Sequence, residues 1–524
     1  MPDLLVEGTL YTLDPSRPKA QAALVRGGRF VRVGTVQQCE REAGEGVKIV
    51  SVGGGCAVPG LVDAHGHPAL HGRTLAQVRL TGARSEAECV ERVAARASVE
   101  PAGGWLLGSG WDQNGWPGRA FPDGARLSRE VPLHPVVLSR VDVHAIWCNE
   151  AALRRAGITD ATPDPAGGKI LRRANGSASG VLVDNAMDLV RNAIPRPTAG
   201  EAELSILRSL GELSAAGLTG VHDAAAGPES LEAYRKLALS NRLPLRVYAM
   251  IDGQVPRQLL IEQMDYWRSQ QSIGRLTVRS VKLFADGALG SRGAAMFEPY
   301  ADDSGNVGLW LMEPDDLAER VALVAANGFQ PSVHCIGDKA CAVVLDAFAR
   351  VPRELRPRAE HLQILRHRDL PLLKRSGAIA SMQPTHATSD GPWAEERLGR
   401  GNERQRGAYA WKTVLDAGVP LAFGSDFPVE HPDPRLGLRA AVTRKTAVGG
   451  IWMPEQRLSR DEALRAFTAG AAYAEFAESR RGIIREGMEA DLTVFGRDLF
   501  AVPADELASV PVVATVVEGQ VEHA

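Results

Sequence analysis

The sequence predicts an α/β fold: a (β/α)8 TIM-type barrel with a composite β-sandwich domain built from both termini and a large insertion after the first barrel strand. Three observations carry this. Both ends of the 524-residue chain are rich in short strand-like runs and turns. The middle alternates short apolar strands with helical stretches, the texture of parallel βα units. Eight such strands can be placed, the number a βα barrel needs.

The elements follow in chain order. Residues 1–56 contain strand-like runs at 4–6, 9–13, 23–25, 30–33 and 48–52, with Gly27-Gly28 as a hairpin signal. The barrel strands are expected at 61–64, 219–222, 246–251, 278–284, 329–334, 359–362, 379–383 and 421–425, with helical patterns at 314–326 and 461–476 among others. About 150 residues separate the first two strands, far more than one crossover. An insertion over about 80–200 is therefore expected, containing a helix at 86–97, a strand at 135–140 and a hairpin around Asn175-Gly176. Strand-like runs return at 491–495 and 511–521. The expected domains are 1–56 plus 481–524 for the composite β domain and 57–480 for the barrel, with the insertion covering its mouth.

Composition narrows the function. Hydrophobic content of 44% and charged content of 23% are ordinary for a globular protein. A net charge of -3 gives no footprint for nucleic acid or an anionic membrane. The first residues lack the basic and apolar regions of a signal peptide, and no apolar run of about 20 residues suggests a membrane span. Six cysteines form no CxxC pair, so the cytoplasm is the expected location.

The chemistry starts at His65-Gly66-His67, which closes the apolar run of the first strand. Residues i and i+2 on a strand face the same side, so both imidazoles reach one point, as a metal ion requires. Lys282 lies in the fourth strand, His334 ends the fifth, His361 the sixth, and Asp426 follows the eighth. In a βα barrel these strand ends share one mouth, where active sites sit. Taken singly, a histidine is more often structural, and an Asp after Gly-Ser is usually a turn or cap residue. A lysine within a short buried strand is harder to explain as structure. The ordered set is far more specific than any member.

On these residues the chain resembles the amidohydrolase superfamily of metal-dependent hydrolases, in its YtcJ-like branch, which includes N-substituted formamide deformylases. The motifs are Pro59-Gly-Leu-Val-Asp-Ala-His-Gly-His67, Gly110-Trp-Asp112, Arg140-Val-Asp-Val-His144, the run from Val281 to Arg292, His334-Cys-Ile-Gly-Asp338, Glu360-His361 and Gly424-Ser-Asp-Phe-Pro428, spread over nearly the whole chain. The resemblance implies a distorted barrel and one or two divalent ions held by His65, His67, His334, His361 and Asp426. Zinc is the first expectation, with manganese or iron as alternatives. Lys282 falls where relatives carry a carboxylated lysine bridging two metals. Such an ion lowers the pKa of its water to about 7, and Asp426 is expected as general base, then general acid. The implied reaction is hydrolysis of an amide or related C–N bond, not a peptide bond in a protein, with an N-formyl or N-acyl amine as substrate. The alternative is deamination of an amino-substituted heterocycle. Deaminases of the superfamily commonly carry a Glu soon after the strand-five histidine, and here His334 is followed by Cys-Ile-Gly-Asp. Family habit also points to a small-molecule substrate and a homodimer, with neither nucleic acid nor membrane as partner.

A second group of residues carries open alternatives. Trp111, Asp112, Arg140, Asp142 and His144 either cover the mouth as a substrate lid or build the insertion's own core and ion pairs. Arg292 either holds a substrate carboxylate or pairs with Asp286, whose loop lies near the site. His386 either donates to an oxyanion or is structural, and His222 is a candidate to support a ligand from behind.

Overall fold

Eight parallel strands form the barrel in the computed structural model: β1 (Leu61–Gly66), β2 (Leu218–Ala226), β3 (Arg246–Asp252), β4 (Leu276–Phe284), β5 (Gln330–Cys335), β6 (Arg358–His361), β7 (Ile379–Met382) and β8 (Leu421–Phe423). They are hydrogen-bonded in that order. The structure describes all residues except 1–2, 114–115, 141–144, 166–167, 185 and 196–197. The barrel closes where Gly66 bridges to Phe427 beyond β8 and the Asp426 amide donates to the His65 carbonyl at 2.7 Å. Gly66 is required there, because a Cβ would overlap the Phe427 ring. All eight strands lie where the sequence places them, with ends displaced by up to four residues.

Helices such as Pro314–Ala326 and Asp338–Phe348 pack their apolar sides on the outer face of the strands, in one continuous core. The expected helix at 461–476 is two, Arg460–Phe467 and Ala469–Ala474, broken at Thr468. The break falls where Gly470 lies against the Leu421 carbonyl so closely that a Cβ would overlap it.

Both termini build one eight-stranded sheet. Its order is Gln520–His523, Val512–Val517, Leu492–Phe495, Cys56–Pro59, Leu4–Tyr11, Lys19–Arg26 and Arg29–Gly34, with Lys48–Ser51 pairing beside Leu4–Tyr11. This sheet feeds the barrel directly. Cys56–Pro59 continues through Gly60 into β1, the Leu61 amide donates to Thr493 Oγ1 at 3.1 Å, and Arg246 of β3 donates to Asp491 at 2.7 Å. The histidines that end β1 are thus tied to both termini.

The chain divides into two compact units, one of Met1–Ala69 with Ala202–Ala524 and one of Leu70–Glu201. The second has its own six-stranded sheet, in the order Gly168–Arg172, Ala178–Asp184, Ala145–Cys148, Val136–Arg140, Leu106–Trp111 and Val78–Arg79. The expected helix is present as Glu86–Ala97, started by Ser85, whose side chain accepts from the Glu88 amide. The expected hairpin joins Gly168–Arg172 to Ala178–Asp184, with Gly176 at φ +85°. Among the described residues, no helix is long and apolar enough to cross a membrane.

Candidate active site

The barrel interior is polar along one side. Arg358, Glu360, Lys282, His65 and His222 are all buried there, and Ser280 and Ser332 share a hydrogen bond at 2.8 Å. Buried groups of this kind are tolerated only when paired. Their pairing fixes the site at the C-terminal end of the strands.

On β1 the alternation puts Asp63, His65 and His67 on one side. Asp63 accepts from the His65 amide at 3.0 Å and from Ser425 Oγ at 2.6 Å, which pins the β1–β8 seam. His65 Nδ1 lies 2.6 Å from Glu360 Oε2. A carboxylate only accepts, so Nδ1 carries the proton and Nε2 presents its lone pair. That nitrogen lies 3.4 Å from Lys282 Nζ and 3.6 Å from Asp426 Oδ1. His67 Nε2 is 3.1 Å from the same Asp426 oxygen, and His386 Nε2 is 3.6 Å from Asp426 Oδ2. His361 donates from Nδ1 to Gln383 Oε1 at 2.7 Å, again leaving Nε2 as the lone-pair atom. The His334 and His361 rings are 4.6 Å apart, and the His361 and His386 rings stack at 6.0 Å.

Two of these residues depart from ordinary backbone. His361 has φ +69° and Asp426 φ +62°, in the left-handed region that non-glycine residues seldom adopt. Such positions cost of order 1–3 kcal/mol each and cluster at functional sites.

Electrostatics suit ion binding. Burial and the nearby Lys282 charge push the His65 pKa down to about 4. Burial, again with Lys282, pushes that of His334 down to about 3. Burial and the neighbouring histidines hold His361 well below its usual range. Burial also lowers Lys282. For Asp426, burial acts upward, yet the His67 hydrogen bond and the surrounding imidazoles win and hold the carboxyl well below its usual range. The result favours neutral imidazoles at His65, His334 and His361, beside one carboxylate.

A divalent ion fits this donor set. Nitrogen atoms of His65 and His67 with an Asp426 oxygen lie within 4.8 Å of one another, and so do those of His361 and His386 with Asp426. His334 Nε2 and His386 Nε2 are buried without a hydrogen-bond partner, a state that costs about 1–3 kcal/mol per group unless a ligand satisfies it. Imidazole and carboxylate donors are those that zinc and related ions take.

The structure therefore brings together His65, His67, Lys282, His334, His361, His386 and Asp426, with Asp286 Oδ1 at 3.7 Å from His334 Nε2. The other candidates make contacts of their own. Trp111 is fully buried in the core of the second unit, beside Trp116 and Trp147, and its indole N–H donates to the Leu138 carbonyl at 2.8 Å. Its ring is thus a core element of that unit. Asp112 is half-exposed and bonded by Arg140 at 2.9 Å. Asp142 and His144 lie outside the described residues. Arg292 pairs with Asp302 at 2.8 Å and not with Asp286, so a carboxylate of its own loop engages the guanidinium expected to hold substrate.

Asp286 is buried and accepts the amides of Ala295, Ile336 and Gly337 at 2.8, 3.0 and 2.8 Å. It shapes the loops after β4 and β5. Asp286→Ala orphans three buried amides, each worth about 1–3 kcal/mol. We expect a stability loss of at least about 3 kcal/mol in denaturant unfolding, and an unchanged midpoint would disprove the anchoring role.

Sequence reading missed Glu360, Gln383, Arg358 and Asp63 as site residues. Glu360 was visible only as the neighbour of His361, and Asp63 only as the third member of the β1 alternation.

Comparison with known proteins agrees with this fold. The sequence model described as amidohydrolase family matches residues 48–523. YtcJ of Bacillus subtilis (strain 168) is 32% identical over 98% of this chain and 98% of its own length. The N-substituted formamide deformylase of Arthrobacter pascens is 27% identical over 99% of this chain and 98% of its own. Among solved structures, an uncharacterized metal-dependent hydrolase from Pyrococcus horikoshii superposes with a TM-score of 0.81 at 26% identity, covering 96% of this chain and 99% of that one.

Proposed function

The chain belongs to the amidohydrolase family, and on that premise we propose that it is a metal-dependent hydrolase cleaving the amide or a related C–N bond of a small molecule, with an N-formyl or N-acyl amine as substrate. The observation that carries this is the position of Asp426, whose carboxylate lies 3.1–3.6 Å from nitrogens of His65, His67 and His386. The nearly full-length similarity to a formamide deformylase supports the substrate class. His65, His67, His334, His361, Lys282 and Asp426 would hold one ion or two, zinc first, with manganese or iron as alternatives. An ion there supplies Lewis acidity and makes water acidic enough to ionise near pH 7.

The chain's own residues do the rest. Asp426 takes a proton from the attacking water and passes it to the amine nitrogen as the C–N bond breaks, a transfer typically worth roughly 10²–10⁴-fold. His386, with a buried nitrogen lacking a hydrogen-bond partner, would steady the charge that develops on the carbonyl oxygen. Because Asp302 engages Arg292, the proposed substrate is a neutral amide and not a carboxylate-bearing one. The six cysteines are all unpaired thiols, in keeping with a reducing cytoplasm.

The test is metal analysis of the purified chain joined to a hydrolysis screen of N-formyl, N-acyl and cyclic amides, with amino-substituted heterocycles alongside. At least one ion per chain and release of an amine are expected. Ammonia from a heterocycle would replace this reading with deamination. Less than one ion per chain, with silence across the screen after adding zinc, manganese or iron, would overturn it.

A further inference from the structure

We propose that Glu360 is a positioning residue that fixes one ring orientation and one tautomer of His65 and strengthens its donor nitrogen toward a divalent cation, with Arg358 locking Glu360 in place. This rests on the metal-dependent reading above.

The anchors of the site histidines differ in kind. His361 is held by a neutral amide, Gln383. His65 is held through Nδ1 by a carboxylate, at 2.6 Å. A carboxylate behind an imidazole sets the tautomer and raises the basicity of the opposite nitrogen. Here the opposite nitrogen faces Lys282 and Asp426.

The anchor is itself held. Arg358 and Glu360 sit two residues apart on β6 and are both fully buried. Arg358 Nε donates to Glu360 Oε1 at 2.7 Å. The same guanidinium reaches the Ala64 carbonyl at 2.7 Å, Ser381 Oγ at 3.1 Å and His222 Nδ1 at 2.8 Å. It therefore ties β1, β2, β6 and β7 together one residue before His65. Glu360 cannot move without breaking its bonds to Arg358 and His65, so the ring of His65 is held with it.

A purely structural ion pair predicts something different. Buried pairs can often be exchanged for apolar residues without loss of fold, and a structural pair exchanged in that way would leave ion binding untouched. The experiment uses the full chain, stripped of metal, in three forms: unaltered, E360Q, and the double variant R358M/E360M. Zinc affinity is read by competition with a chromophoric chelator, and the ligand field by the visible spectrum of added cobalt(II). Circular dichroism reports folding. We expect the zinc dissociation constant to rise by about 10–100-fold in both variants, with a changed cobalt spectrum. If E360Q fails to fold, the double variant, which leaves neither charge unpaired, carries the test. A folded variant that binds zinc as tightly as the unaltered chain overturns the proposal. Failure of both variants to fold also overturns it, since the pair would then be a structural support. An unaltered chain that binds no zinc, manganese or iron instead removes the metal-dependent reading itself.

Discussion

Asp426→Asn is expected to lower turnover by roughly 10²–10⁴-fold, the range of a lost proton-transfer group, while the histidines retain the ion. The substitution is suited to this question. Asp426 has φ +62°, and Asn adopts the left-handed region more readily than most residues. The Asp426 amide keeps its bond to the His65 carbonyl, and the Asn carbonyl oxygen can still accept from His67 Nε2. What disappears is the negative charge and the ability to carry a proton. The range corresponds to about 2.7–5.4 kcal/mol of barrier, at 1.36 kcal/mol per decade. Steady-state kinetics with the best substrate of the screen, and metal content after dialysis, check it together. Wild-type turnover would remove Asp426 as proton carrier. Loss of the ion along with the activity would assign it to holding the ion instead.

The residues that were legible in the sequence share one property: their placement follows from strand geometry. His65 and His67 obey the two-residue period, and His334, His361 and Asp426 sit at strand ends, so a barrel brings them to one mouth. Glu360 was not legible because the same period sends neighbours on a strand to opposite faces. His361 at φ +69° and Leu362 at φ +42° leave strand geometry, and this turn lets Glu360 and His361 serve the same site. Gln383 and Arg358 act through hydrogen bonds to residues far away in sequence, which no local pattern encodes. Trp111 was ambiguous for another reason. An aromatic ring lines a pocket or fills a core equally well by its chemistry, and only the sheet of the second unit decides for the core. Arg292 had two candidate partners, and the loop that carries it supplied a third, Asp302, ten residues on. His386 entered as an oxyanion donor or structural residue. The start of the helix Pro384–Leu398 just after β7 turns its ring over His361 and toward Asp426.

Arg358→Met alone is expected to destabilise the chain by about 3–5 kcal/mol, because it strands the Glu360 carboxylate in the barrel interior. The magnitude follows from what the guanidinium now offsets. Glu360 is fully buried, and although burial acts to raise its pKa, the Arg358 charge and the His65 contact hold the carboxyl well below its usual range. The sign is fixed by this ordering: a carboxyl lowered in the fold contributes stability above the unfolded pKa, so the loss in Arg358→Met should be largest at neutral pH. It should shrink on acidification, as Glu360 takes up a proton and no longer needs a counter-charge. Adding Glu360→Met removes the stranded charge, and R358M/E360M should recover part of the loss. The remaining deficit comes from the unmet Ala64 carbonyl, Ser381 hydroxyl, His222 Nδ1 and His65 Nδ1–H, at about 1 kcal/mol each for ordinary hydrogen bonds. Urea unfolding of the metal-free proteins at pH 7 and pH 5 measures all three effects. Equal loss in the single and double variants would mean that the barrel needs the guanidinium for its strand contacts and not for Glu360. In that case the carboxylate would stand without Arg358, and the His65 anchor would reduce to a single hydrogen bond.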